Sequence, residues 1–150
     1  MHINNIGYNH THDADFEIQR LCGSGDYLLL LLKTPAIFTL GGKDIITEPD
    51  SFILFRQGTP QLYRAYGISF SNDWFHFSIA DDEMSFFEAL DIPFDTVMPI
   101  GDLNGLSLII KNMSYENYSS NLYRTDSVEL YMKLFFLKLS EKIHSVGKEK

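Results

Sequence analysis

From residue 16 onward the chain reads as short runs of alternating or wholly apolar residues, each closed by a turn signal. "FEIQRL" alternates and puts Phe16, Ile18 and Arg20 on one face; "GSGD" breaks it. "YLLLLLK" is apolar on both faces, which predicts a strand buried on both sides in a sandwich or barrel. "AIFTL", "GGK" and "DIITE" predict a hairpin whose glycines supply positive φ. "FILFR" and "QLYRAY" follow across the turns "PDS" and "QGTP". After "GISFS", the run "NDWFHFSI" puts Asn72, Trp74 and His76 on one face and Phe75, Phe77 and Ile79 on the other. Strands spaced this regularly predict a mainly β fold, an antiparallel barrel of jelly-roll type. Ahead of them, residues 1–15 are polar with little periodicity and read as an N-terminal arm.

After residue 80 the period changes. Asp81 and Asp82 suit the start of a short helix through Leu90, and "DIPFDTVMPIGD" reads as a loop or a last strand. A helix is expected over Leu103–Tyr118, with Leu106, Ile110 and Met113 in register. A second helix, capped by Thr125 or Asp126, runs to Ile143. Its apolar stripe is Val128, Tyr131 or Met132, Phe135, Leu139 and Ile143, but Leu130, Leu134 and Leu137 form another stripe on a different side. A surface helix needs one apolar stripe, so the second implies a further partner. That partner is either more of the same chain or, as the better reading, a second copy. The domain plan is thus an arm over 1–15, a barrel over 16–100, helices over 101–143 and a linker-like tail over 144–150.

Composition narrows the function. With 150 residues the chain supports one core. The longest apolar run is far too short to span a bilayer, no secretory signal opens the chain, and the single Cys22 suits a reducing cytoplasm. Lys and Arg are outnumbered 12 to 20, giving a net charge of −8, so this chain has no basic stripe for nucleic acid. If DNA is involved, another domain touches it.

The candidate chemistry starts with "HTH". His10, His12 and Glu17 fit the first half of an H-x-H…E metal site of the cupin kind. The second half fails, because Gln61 stands where the further histidine belongs, and an amide oxygen is a poor ligand for a transition metal. No metal and no cofactor are therefore expected. No phosphate-cradling loop, Ser-His-Asp set or carboxylate pair is present either. What remains is Arg20, Tyr63, Asn72, Trp74 and His76 on strand faces. An Arg beside an aromatic wall recognises a sugar hydroxyl or a carboxylate. The alternative is that Tyr63 and Trp74 are ordinary core and Arg20 is paired to an acid.

"FEIQRLCGSGDYLLLLLK", "FTLGGKDIITEPDSFILFRQGTPQLY" and "DWFHFS", in this order and spacing, resemble the N-terminal domain of AraC-type bacterial transcription regulators. The resemblance runs from Phe16 to Ser78, with weaker support through the helices to Ile143. It implies a cupin-like barrel plus a helical dimerisation pair in a cytoplasmic, non-enzymatic regulator. The pocket positions of the family fall on Arg20, Tyr63, Asn72 and Trp74, with His76 beside them. The family's arm closes over ligand, which implies a lid role for Tyr8, His10 and His12. Leu130, Leu134 and Leu137 are the implied dimer contacts. The implied partners are a small-molecule effector such as a sugar, a second copy of the chain, and DNA through a C-terminal helix-turn-helix domain beyond Lys150; no membrane is involved. Asn72 stands where the family carries a histidine, so sugar specificity does not transfer. A small metal-dependent cupin enzyme, an isomerase or dioxygenase, is the alternative.

Overall fold

A computed structural model describes residues 1–145; residues 146–150, most of the expected linker, lie outside the described residues. Among the described residues, nine strands form two antiparallel sheets. They are β1 (His2–Asp13), β2 (Glu17–Arg20), β3 (Tyr27–Leu32), β4 (Ala36–Leu40), β5 (Lys43–Ile46), β6 (Ser51–Phe55), β7 (Gln61–Ala65), β8 (Ser69–Ser78) and β9 (Met98–Pro99). One sheet has the order β1-β8-β3-β6-β9 and the other β2-β7-β4-β5. A 3₁₀ turn at Asp81–Glu83 leads into α1 (Met84–Ala89), and α2 (Asn104–Asn117) and α3 (Arg124–Ser145) follow.

The molecule has three layers, and the five-stranded sheet is the middle one. Leu28, Leu30 and Leu32 of β3 face the second sheet, packing with Ile53, Phe55, Phe38 and Phe70. Leu29 and Leu31 face the helices with Phe75, Phe77, Phe135 and Phe136. A strand covered on both faces has no use for polar residues, which is why β3 is a run of leucines. The hairpin between β4 and β5 turns on Gly41 and Gly42, both at positive φ (58° and 79°), the geometry a two-residue turn requires.

α3 buries the predicted stripe Val128, Met132, Phe135, Leu139 and Ile143 against this middle layer. Of the two alternatives Tyr131 and Met132, Met132 is fully buried and Tyr131 only partly. Leu130, Leu134 and Leu137 stay 67%, 42% and 41% exposed.

The N-terminal stretch departs from expectation. Residues 2–13 are a full strand, hydrogen-bonded to β8 from His2↔Ser78 to Asp13↔Ser69. Two register shifts, between Ile3 and Asn5 and between Gly7 and His10, interrupt the alternation. Each bulge inserts a residue and reverses which face the following side chains take. Ile3, Ile6 and Tyr8 therefore face the helices, whereas His10 and His12 face the second sheet. Asn9, in the second bulge, adopts φ 53°, and its N–H donates to Asp73 Oδ1 at 2.6 Å. Asp73 is fully buried, accepts a hydrogen bond from Ser107 Oγ of α2 at 2.6 Å and pairs with Lys33 at 3.0 Å. One carboxylate thus ties the bulge of β1 to the helical layer.

Candidate functional site

A cavity of about 170 Å³ opens between the two sheets. The middle sheet supplies Asn72, Trp74 and His76 from β8, His10 and His12 from β1, and Leu28 and Leu30 from β3. The opposing sheet supplies Ile18 and Arg20 from β2 and Tyr63 from β7, and Phe16 just precedes β2. The alternations read from "FEIQR" and "NDWFHF" both point into this space. Seven of the eight site and lid residues named from sequence line it. Tyr8 does not. It follows the inward Gly7 and faces away from the cavity, where its ring lies 4.8 Å from Lys33 Nζ, and the bulge at Asn9 then turns His10 and His12 inward.

Arg20 is the cation of the cavity. Its Nη1 donates to Gln61 Oε1 at 2.8 Å, and no carboxylate pairs with it among the described residues. Gln61 is fully buried and passes the restraint on, its Nε2 donating to Ser24 Oγ at 3.0 Å. The residue that spoke against a metal therefore holds the guanidinium. Tyr63 stacks on Phe38 at 4.9 Å, and burial pushes its phenol up to about 12 against the pull of Arg20, so it acts here only as a neutral hydrogen-bonding group.

Trp74 lies across β1. Its indole Nε1–H donates to His10 Nδ1 at 3.1 Å, leaving the proton of a neutral His10 on Nε2. A Cβ on Gly7 would sit 2.5 Å from the indole, so the ring can lie there only because residue 7 has no side chain. His12 stacks on Phe16 at 4.0 Å; burial and the nearby His10 lower its pKa, with Asp13 opposing. His76 Nδ1 meets Asp26 Oδ1 at 2.9 Å. Partial burial works against ionisation of Asp26, yet hydrogen bonds from Asn4, His76 and Ser24 hold its carboxyl below the usual range.

Among the described residues no acidic side chain lines the cavity, although acids outnumber bases in the chain. Glu17 falls on the exposed face of β2, opposite in parity to Arg20, and is not near His10 and His12 as a ligand. Among the described residues no three His, Cys, Asp or Glu side chains are grouped to hold a metal ion. The residues that sequence reading missed are Asn5 of β1, hidden by the first bulge, and Asp26, which orients His76 from a turn.

Neither a family model nor a curated protein matches the sequence. Solved structures of ToxT from Vibrio cholerae do resemble the structure. An apo variant aligns over 92% of this chain and 57% of its own, with 13% identity and a TM-score of 0.55. A further crystal form aligns over 91% and 57%, with 11% identity and a TM-score of 0.50. ToxT bound to a methylnaphthalenyl butenoic acid aligns over 91% and 58%, with 14% identity and a TM-score of 0.51. The chain thus spans less than two thirds of these proteins. The ligand in that last structure is a carboxylic acid, and a sugar effector finds no support in any of the three. The chain has the fold of the N-terminal part of the AraC-type regulator ToxT, two antiparallel sheets followed by packed helices.

Proposed function

We propose that this chain is the ligand-sensing and dimerisation domain of an AraC-type bacterial regulator, cytoplasmic and non-enzymatic, acting on DNA through a C-terminal helix-turn-helix domain. Its effector is a small organic anion, bound between the sheets with its carboxylate on Arg20. One observation carries this reading: Arg20 faces a cavity that no acidic side chain lines among the described residues. A guanidinium in that position, already steadied by Gln61, keeps most of its donors for a planar anion. Leu28, Leu30, Ile18, Phe16 and Trp74 supply the apolar walls that a carbon skeleton needs. The role of the exposed α3 leucines is to join two such domains. The chain's acidity leaves DNA contact to other sequence.

Trp74 is the single tryptophan and lines the cavity, so its fluorescence reports occupancy. An aryl-substituted short-chain carboxylate is expected to quench or shift that emission saturably. Arg20→Ala is expected to weaken binding by about 2 kcal/mol, the worth of a hydrogen bond to a charged group in a partly buried site. Equal affinity in wild type and variant would remove the anchor of the reading.

A further inference from the structure

A residue on the cavity wall also carries a buried polar atom with nothing to bind. Asn72 is 2% exposed, and its Oδ1 has no hydrogen-bond partner among the described residues. Its cross-strand neighbours leave it so: Leu32 has no polar side chain, and the imidazole of His10 bonds Trp74 and not Asn72. Buried carboxamides normally find partners, because leaving the oxygen dry is unfavourable. A leucine at this position would carry no such cost.

Arg20 lies toward the other end of the cavity. It is connected to His76 through Gln61, Ser24 and Asp26, by hydrogen bonds of 2.8, 3.0, 3.0 and 2.9 Å. His76 and Asn72 are four residues apart on β8, roughly 13 Å of strand. Between them lie Trp74 and Leu30, paired across β8 and β3. The site is therefore bipolar: a cation at one end, an apolar and aromatic middle, and an unsatisfied acceptor at the other end.

We propose that the effector is a small carboxylic acid carrying a hydrogen-bond donor, a hydroxyl or an N–H, at the end remote from its carboxylate, and that Asn72 reads this donor. The inference rests on the anion-binding reading above and adds the second pole. An unadorned hydrocarbon tail would leave Asn72 Oδ1 as it is in the empty site, whereas a terminal donor removes the penalty. The cavity, about 170 Å³, is small for such a pocket, so the effector is short.

The test compares phenylpropionate with its para-hydroxy derivative, which differ by one donor, in calorimetric and Trp74 fluorescence titrations. Wild-type protein is expected to bind the hydroxylated acid about tenfold or more tightly than the parent. In Asn72→Leu that preference is expected to vanish while the parent acid still binds, and the variant is expected to melt no lower than wild type. Equal affinities of wild type for the two acids would mean that water alone satisfies Asn72, and would overturn the inference while leaving the Arg20 site intact. A preference for the hydroxylated acid that survives Asn72→Leu would also overturn it, placing the donor elsewhere. Binding of neither acid overturns both this inference and the anion-binding reading.

Discussion

His12 shows how one side chain can be read for both position and pH. It faces the cavity because a bulge reversed the parity of β1, and it lies flat on Phe16 at 4.0 Å with Phe70 beyond. Burial, reinforced by His10, lowers its pKa from 6.5, while Asp13 acts the other way. The sign follows directly. The unfolded chain takes up a proton near 6.5, whereas folded His12 resists it until a lower pH. In that window the unfolded state binds more protons, so stability falls as pH drops below 6.5. The carboxyls of Asp26 and Glu83, held below the usual range, titrate only in more acid solution and leave this window clear. His12→Phe keeps the stack and removes the titration. Melting curves at about pH 7 and about pH 5 are expected to show a smaller acid loss in the variant than in wild type. Equal losses would assign the effect to another group.

At the scale of the element, straight strands were legible and bent ones were not. Phe16, Ile18 and Arg20, and likewise Asn72, Trp74 and His76, keep strict two-residue alternation, and the structure puts each set on one face of its strand. The helices, expected over Leu103–Tyr118 and from Thr125 or Asp126 to Ile143, form over Asn104–Asn117 and Arg124–Ser145, because a period of 3.6 is hard to mistake over that length. β1 was hidden. Its outward residues are Ile3, Ile6 and Tyr8 and its inward ones Asn5, Gly7, His10 and His12, a spacing that no single period produces. Two bulges make a strand look like a polar arm. The strand is accordingly a wall of the cavity, paired along its length with β8, and the wall is shaped around the indole of Trp74. Gly7→Ala puts a methyl carbon where the ring now lies and pushes it into the cavity. The variant is expected to stay folded, since the ring borders open space, but to shift Trp74 emission and lose most of its affinity for carboxylate ligand. Unchanged emission and affinity would show that β1 gives way instead of the ring, and that its contact with Trp74 does not shape the site.

At the scale of the whole molecule, the three layers bury a large apolar core, and among the apolar residues left exposed Leu130, Leu134 and Leu137 line up along one side of α3. The middle sheet is covered by the second sheet on one side and by α2 and α3 on the other, and α3 spends Val128, Met132, Phe135, Leu139 and Ile143 on that contact. Leu130, Leu134 and Leu137, spaced i, i+4, i+7, are left at 67%, 42% and 41% exposure. That spacing forms one seam along a helix and suits pairing with the same seam of a second copy. A two-fold axis lets a single stripe serve both chains, with the helices antiparallel. Covering the exposed part of each leucine is worth about 1 kcal/mol, so six of them contribute about 6 kcal/mol, comparable to the lower estimates of the cost of association. The seam alone therefore gives a reversible dimer rather than an obligate one, and its strength is sensitive to a single charge. Leu134→Glu places a carboxylate at the middle of the seam on both chains. Sedimentation is expected to show wild-type dimer at high micromolar concentration and a variant shifted to monomer, with unchanged circular dichroism and melting temperature. Unfolding of the variant would mean that Leu134 supports the fold and the dimer uses another face; a wild type that stays monomeric at that concentration would rule the seam out altogether.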